Sequence, residues 1–110
     1  MNKNTLGVLG LAKRAGALAV GTNNVLDSVR HGKAKLVLIA SDVSDNTKKN
    51  LSDKSSFYKV QTDTVDITAA ELGKALGHGP TAAIAISDEN FVIAFNKSRN
   101  DNTKGEERGM

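Results

Sequence analysis

The chain has 110 residues, a net charge of +3, one proline and no cysteine or tryptophan. That length suits one domain with an ordinary core, and the absence of cysteine excludes disulfide frameworks, thiolate metal sites and thiol nucleophiles. Met1-Asn2-Lys3-Asn4 opens no secretory leader and no apolar run approaches a membrane span, so a soluble, cytoplasmic protein is expected.

The pattern from residue 3 to 15 is helical, with Leu6, Leu9 and Ala12-Lys13 on one side and Gly16 to stop it. "ALAV" (17–20) reads as a short strand. Residues 22–31 fit a helix that buries Val25, Leu26 and Val29 and ends at Gly32. "LVLIA" (36–40) is a continuous aliphatic run, as in a strand covered on both faces. Asp42 to Asp45 form a loop that caps a polar helix from Thr47 to Lys54, and "YKVQ" (58–61) alternates like a short strand. Thr68-Ala-Ala-Glu71 has capping-box spacing and opens a helix through Leu72 and Leu76 to Gly77. "AAIAI" (82–86) is another buried strand, followed by a helix over 88–99 with Phe91, Val92 and Phe95 inward. Residues 101–110 are polar and glycine-bearing, which predicts a disordered tail after a single domain over 1–100. The alternation of helix and strand argues for an α/β sandwich with helices on both faces of a sheet.

Charge is concentrated: residues 1–36 carry six cations against one acid, Asp27. Such a segment steers a polyanion, or is a solvated face. Catalytic cues are poor. His31 and His78 each stand beside a glycine at a helix end, where histidine ordinarily caps or faces solvent. Gly73-Lys74 lacks the Ser/Thr and the upstream glycine of a phosphate loop, and "GVLGLAKRAG" follows no strand, so it is no dinucleotide fingerprint. No enzyme, cofactor or metal is expected. Phe57, Tyr58, Phe91 and Phe95 fall at core or strand positions, so no aromatic stacking platform is expected either.

Gly21-Thr22-Asn23-Asn24 opens the second helix and allows two readings. Gly21 lets another backbone approach, Thr22 caps the helix and the asparagines fill its first turn. Alternatively the free N–H groups meet an anion and the amides, both donor and acceptor, match a base edge. On spacing alone the capped helix is the simpler reading.

With those residues in view, the sequence resembles the kink-turn RNA-binding ribosomal protein family over roughly residues 4–98. The resemblance rests on "LGLAKRAGALAVGTNNVLDSVRHGKAKLVLIASDVSDNTKK", "ELGKALG" and "AAIAIS", and is nearest to the small bacterial members of the YlxQ type. It implies a three-layer α/β/α sandwich with a small central mixed sheet and no enzymatic activity. It also implies a grip on sharply bent RNA at tandem sheared G·A pairs. The family motif at the second helix is Gly-x-Asn-Glu-x-x-Lys. Gly21 and Asn23 match it, whereas Asn24 stands at the Glu and Asp27 at the Lys, and His31 occupies an often basic position. An Asn accepts a hydrogen bond without the charge that strengthens a carboxylate's, and an Asp repels phosphate where a Lys attracts it. The second family contact corresponds to the loop at Gly79, Pro80, Thr81 and Ala82 after His78. Lys13, Arg14, Lys33 and Lys35 would supply electrostatic attraction. The implied partners are RNA and other ribosome or RNP proteins, with no membrane, for a monomeric chain. The competing expectation is a protein-interaction module of the same fold that has lost specific RNA recognition.

Overall fold

The computed structural model describes residues 1–108, with side chains through Arg99. In chain order the elements are α1 (Lys3–Arg14), β1 (Leu18–Val20), α2 (Thr22–Arg30), β2 (Leu36–Ile39), α3 (Asp45–Phe57), β3 (Gln61–Thr64), α4 (Ala69–Ala75), β4 (Ala83–Ile86) and α5 (Glu89–Arg108). The sheet order is β1-β4-β2-β3; β4 runs antiparallel to both neighbours and β2 pairs parallel with β3.

Side-chain alternation along the central strands builds two cores. Leu36, Leu38, Ile84 and Ile86 join Leu9, Leu72 and Phe95 on the face covered by α1, α4 and α5. Val37, Ile39, Ala83 and Ala85 meet Val25, Val29 and Leu51 of α2 and α3 on the other. All four residues of β2 and of β4 are buried, which is why "LVLI" and "AIAI" carry no polar position. The three-layer α/β/α sandwich with a mixed sheet is therefore as expected.

Four local expectations change. The strand near residue 60 is Gln61–Thr64, not 58–61. Tyr58 and Lys59 instead complete the exit of α3, with Tyr58 N–H on Lys54 O and Val60 N–H on Ser55 O, so the Tyr/Val alternation is a helix end. Phe57 and Tyr58 are accordingly exposed rather than core or strand residues, whereas Phe95 is fully buried and Phe91 half-buried. The polar helix extends from Asp45 to Phe57, capped by Ser44 inside the predicted loop. Finally, α5 runs to Arg108, past the predicted end at 99 and into the segment read as a tail. That stretch has no proline and several good helix formers; Gly109 and Met110 lie outside the described residues.

β1, β2 and β3 share one direction, so the helices that follow them, α2, α3 and α4, all begin at the same edge of the sheet. The loop into β4 reaches that edge too. Four loops therefore meet there.

Candidate nucleic-acid interface

Helix starts leave N–H groups without intrahelical partners, and their fate decides what the edge can bind. At α3 the Ser44 hydroxyl accepts from Thr47 N–H. At α4 the capping box is complete: Thr68 Oγ1 accepts from Glu71 N–H, Glu71 accepts from Thr68 N–H, and Asp42 Oδ1 accepts from Ala69 N–H at 2.8 Å. The Thr68 N–H and the Thr68 hydroxyl both donate to the Glu71 carboxyl and hold it below the usual glutamate range.

The start of α2 differs. Its N-cap is Gly21, not Thr22, and no side chain caps it. Gly21 has φ +97° and ψ +152°, a conformation essentially restricted to glycine. Nothing lies within 4 Å of where its Cβ would be, so the glycine answers a dihedral requirement and not the close approach expected. Gly21 N–H is taken by Ala83 O at 2.9 Å, and the first intrahelical bond runs from Val25 N–H to Gly21 O. The N–H groups of Thr22, Asn23 and Asn24 lie between, at the positive end of the helix dipole. The Asn24 amide donates to Val20 O at 2.9 Å, and the residue is exposed, so its Oδ1 keeps the capacity to accept.

The Gly21–Ala83 bond ties this helix end to the loop before β4. Ala82 O accepts from Ala40 N–H, and Thr81 N–H donates to Ala69 O. Thr81 is only 1 % exposed, with its hydroxyl on Gly79 O at 2.9 Å, so it shapes the loop while Gly79 and Pro80 form its outer surface. The two predicted segments are thus neighbours at one edge of the sheet.

The remaining predicted residues separate. A groove of about 570 Å³ between α1 and α2 crosses the edge strand β1 and is lined by Lys13, Asn24, Asp27, His31 and Lys33. Within it His31 closes α2 as C-cap, its N–H and its ring both on Asp27 O, the ring Nδ1 at 2.7 Å. Lys13 is partly committed elsewhere, its ammonium donating to Leu76 O at 2.9 Å. Arg14 instead borders a larger groove of about 1040 Å³ between α1 and α4, and Lys35 lines neither.

Two cations outside the predicted set, Arg30 and Lys54, stand beside predicted residues. Arg30 forms an ion pair with Asp27 one turn before it, which offsets the acid that opposed phosphate. The pairing was legible as i,i+3 spacing. Lys54 of α3 lines a third groove with Asn23, Leu26, Asp27 and Arg30, a juxtaposition created only by packing.

Fold and site together define a small α/β/α domain whose exposed polar groups converge on an uncapped helix end. The chain matches the model of the Ribosomal protein L7Ae/L30e/S12e/Gadd45 family over residues 3–95, and it belongs to that family. A protein named RNA-binding protein YlxQ from Bacillus subtilis (strain 168) is 38% identical over 85 residues, covering 77% of this chain and 84% of that one. A protein of the same name from Enterococcus faecium is 37% identical over 90 residues, covering 82% and 85%. The solved structure of a Bacillus halodurans C protein of unknown function superposes with a TM-score of 0.79 at 32% identity, covering 87% of this chain and 96% of that one.

Proposed function

We propose that this chain is a non-catalytic RNA-binding protein, ribosome- or RNP-associated, that recognises structured, kink-turn-like RNA through the start of α2 and the loop before β4. The observation that carries the reading is the uncapped N-terminus of α2, with three N–H groups and the exposed Asn23 and Asn24, tied through the Gly21–Ala83 bond to the loop that exposes Gly79 and Pro80. Backbone amides at a helix start suit phosphate, and asparagine suits a base edge. The names of the YlxQ relatives support RNA as the ligand class. No helix among the described residues is long and apolar enough to cross a membrane. The reading has the protein act as a monomer in the cytoplasm.

The test is a titration against a labelled kink-turn duplex, beside the same duplex with its sheared G·A pairs replaced by Watson–Crick pairs, at two salt concentrations. Preference for the kinked RNA, weakened by salt, is expected. Asn23→Ala should remove the preference and leave the melting temperature nearly unchanged, because no cap hydrogen bond depends on Asn23. Weak, equal binding to both duplexes would refute kink-turn recognition and favour a protein-interaction module of the same fold.

A further inference from the structure

Two large side chains at the end of α3 stand outside the core. Phe57, the last helical residue, is 78 % exposed, and Tyr58, the C-cap, is 40 % exposed. They are not independent: the rings are perpendicular with centroids 5.0 Å apart, the edge-to-face arrangement that holds aromatic pairs together. The backbone turns just beyond them at Lys59, which takes a left-handed φ of +59° unfavourable for any side chain with a Cβ. An open aromatic pair on such an exit forgoes the burial that ordinarily stabilises these residues.

The surroundings are polar. Lys54 lies one turn before Tyr58 and Lys59 directly after it; Asp53 is the acid of that turn. Lys54 is also the far wall of the groove of about 360 Å³ that begins at Asn23 and passes Arg30. The aromatic pair is therefore one helical turn from a lane that starts at the uncapped end of α2. Aliphatic neighbours would suit a protein partner; two aromatics flanked by ammonium groups suit bases and phosphates.

We propose that Phe57 and Tyr58 form a stacking platform for unpaired bases of the bound RNA, with Arg30 and Lys54 spanning the phosphates between this platform and the start of α2. The proposal rests on the RNA-binding reading and extends it from a kinked duplex to an adjoining single strand. Stacking on an aromatic face tolerates any base, so the platform adds affinity and not sequence preference.

The chain has one tyrosine and no tryptophan, so tyrosine emission reports on Tyr58 alone. The kink-turn RNA is titrated blunt-ended and with a short single-stranded uridine extension at either end, and emission is corrected for absorption by RNA against N-acetyltyrosinamide. Expected are quenching by an extended RNA and an affinity gain of about tenfold over the blunt RNA. Phe57→Ala should abolish the gain without lowering the melting temperature, and Asn23→Ala should weaken blunt and extended RNA alike. Binding of the blunt RNA with neither quenching nor gain from an extension would overturn the platform and leave the RNA-binding reading intact. Failure of every RNA to bind would overturn both. Self-association abolished by Phe57→Ala, with no response to the extension, would make the pair a contact between copies and sink the proposal.

Discussion

Gly73 lies inside α4, where alanine is ordinarily favoured by about 0.8–1 kcal/mol. At this position the sign reverses. A methyl group would stand 1.9 Å from the carbonyl oxygen of Gly79 and 2.7 Å from its carbonyl carbon, against at least 3.4 Å for ordinary contact. Both atoms are backbone, so no rotamer change relieves the clash. The loop cannot slide freely either: His78 N–H is on Gly73 O at 2.8 Å, Thr81 N–H on Ala69 O at 2.9 Å, and the Thr81 hydroxyl on Gly79 O. Overpacking costs about 1–3 kcal/mol, and each of these hydrogen bonds is worth about 1 kcal/mol. After the propensity gain, Gly73→Ala should lose about 2 kcal/mol, a fall in Tm of roughly 8–16 °C for a domain of this size. Far-UV circular dichroism melts measure it, with Gly10→Ala as the companion variant. Nothing lies within 4 Å of a Cβ at Gly10, so there the propensity gain of about 1 kcal/mol should raise Tm. A Gly73→Ala melt at or above wild type would refute the seating of the loop on α4. RNA affinity should fall in Gly73→Ala and stay unchanged in Gly10→Ala, because Gly79 and Pro80 move only in the former.

The grooves separate two lysines that look equivalent in sequence. Lys33 lines the α1–α2 groove and Lys35 does not, so Lys33→Ala should reduce the slope of log affinity against log salt by about one while Lys35→Ala leaves it unchanged. Asp27→Asn removes a negative charge beside the proposed phosphate path and frees Arg30. RNA affinity should rise several-fold at low salt, and the gain should vanish in about 1 M salt, where the screening length falls to about 3 Å. The Glu71 carboxyl is held below its usual range by hydrogen bonds from Thr68. A depressed folded value means its contribution is complete above the unfolded value of about 4.5 and disappears as pH falls through the lower folded value. Denaturant titrations from neutral pH to about pH 3 should therefore show a smaller loss for Glu71→Gln than for wild type.

Much of the fold was legible because several local rules agreed. "LVLI" and the strand before α5 carry no polar residue and proved to be buried on both faces, and Thr68 with Glu71 forms the capping box their spacing announced. Misreadings arose where two local rules compete. Tyr58 and Val60 alternate like a strand, but the turn at Lys59 consumes them, and the parallel partner of β2 is the polar edge strand "QTDT". An edge strand need not look apolar, because one of its rims faces water. Exposure of Phe57 was illegible for a related reason: an aromatic in a helix is ordinarily core, and only the direction in which α3 ends sends it outward. At the site, Gly21 to Asn24 and the loop at 79–82 were legible as separate signals. Their adjacency was not, since Gly21 and Ala83 meet through the pairing of β1 with β4.

The two departures from the family motif acquire physical content from their neighbours. An Asn in place of the motif's Glu loses a charge. With its amide nitrogen anchored on Val20 O, Asn24 still has an oxygen that can accept, without the charge of a carboxylate. An Asp in place of the motif's Lys would repel phosphate if it stood alone. Arg30 stands one turn on and pairs with it, so the helix face presents a guanidinium where the motif presents an ammonium, displaced by about one turn along α2 toward Lys54. The first change removes charge from the first turn, and the second leaves the nearest cation about one turn farther along α2, beside Lys54. Under the proposed kink-turn reading, a site altered in this way should depend less on a single charged hydrogen bond to the RNA. On that reading it should depend more on backbone N–H groups at α2 and on contacts farther along the RNA, such as the proposed aromatic platform.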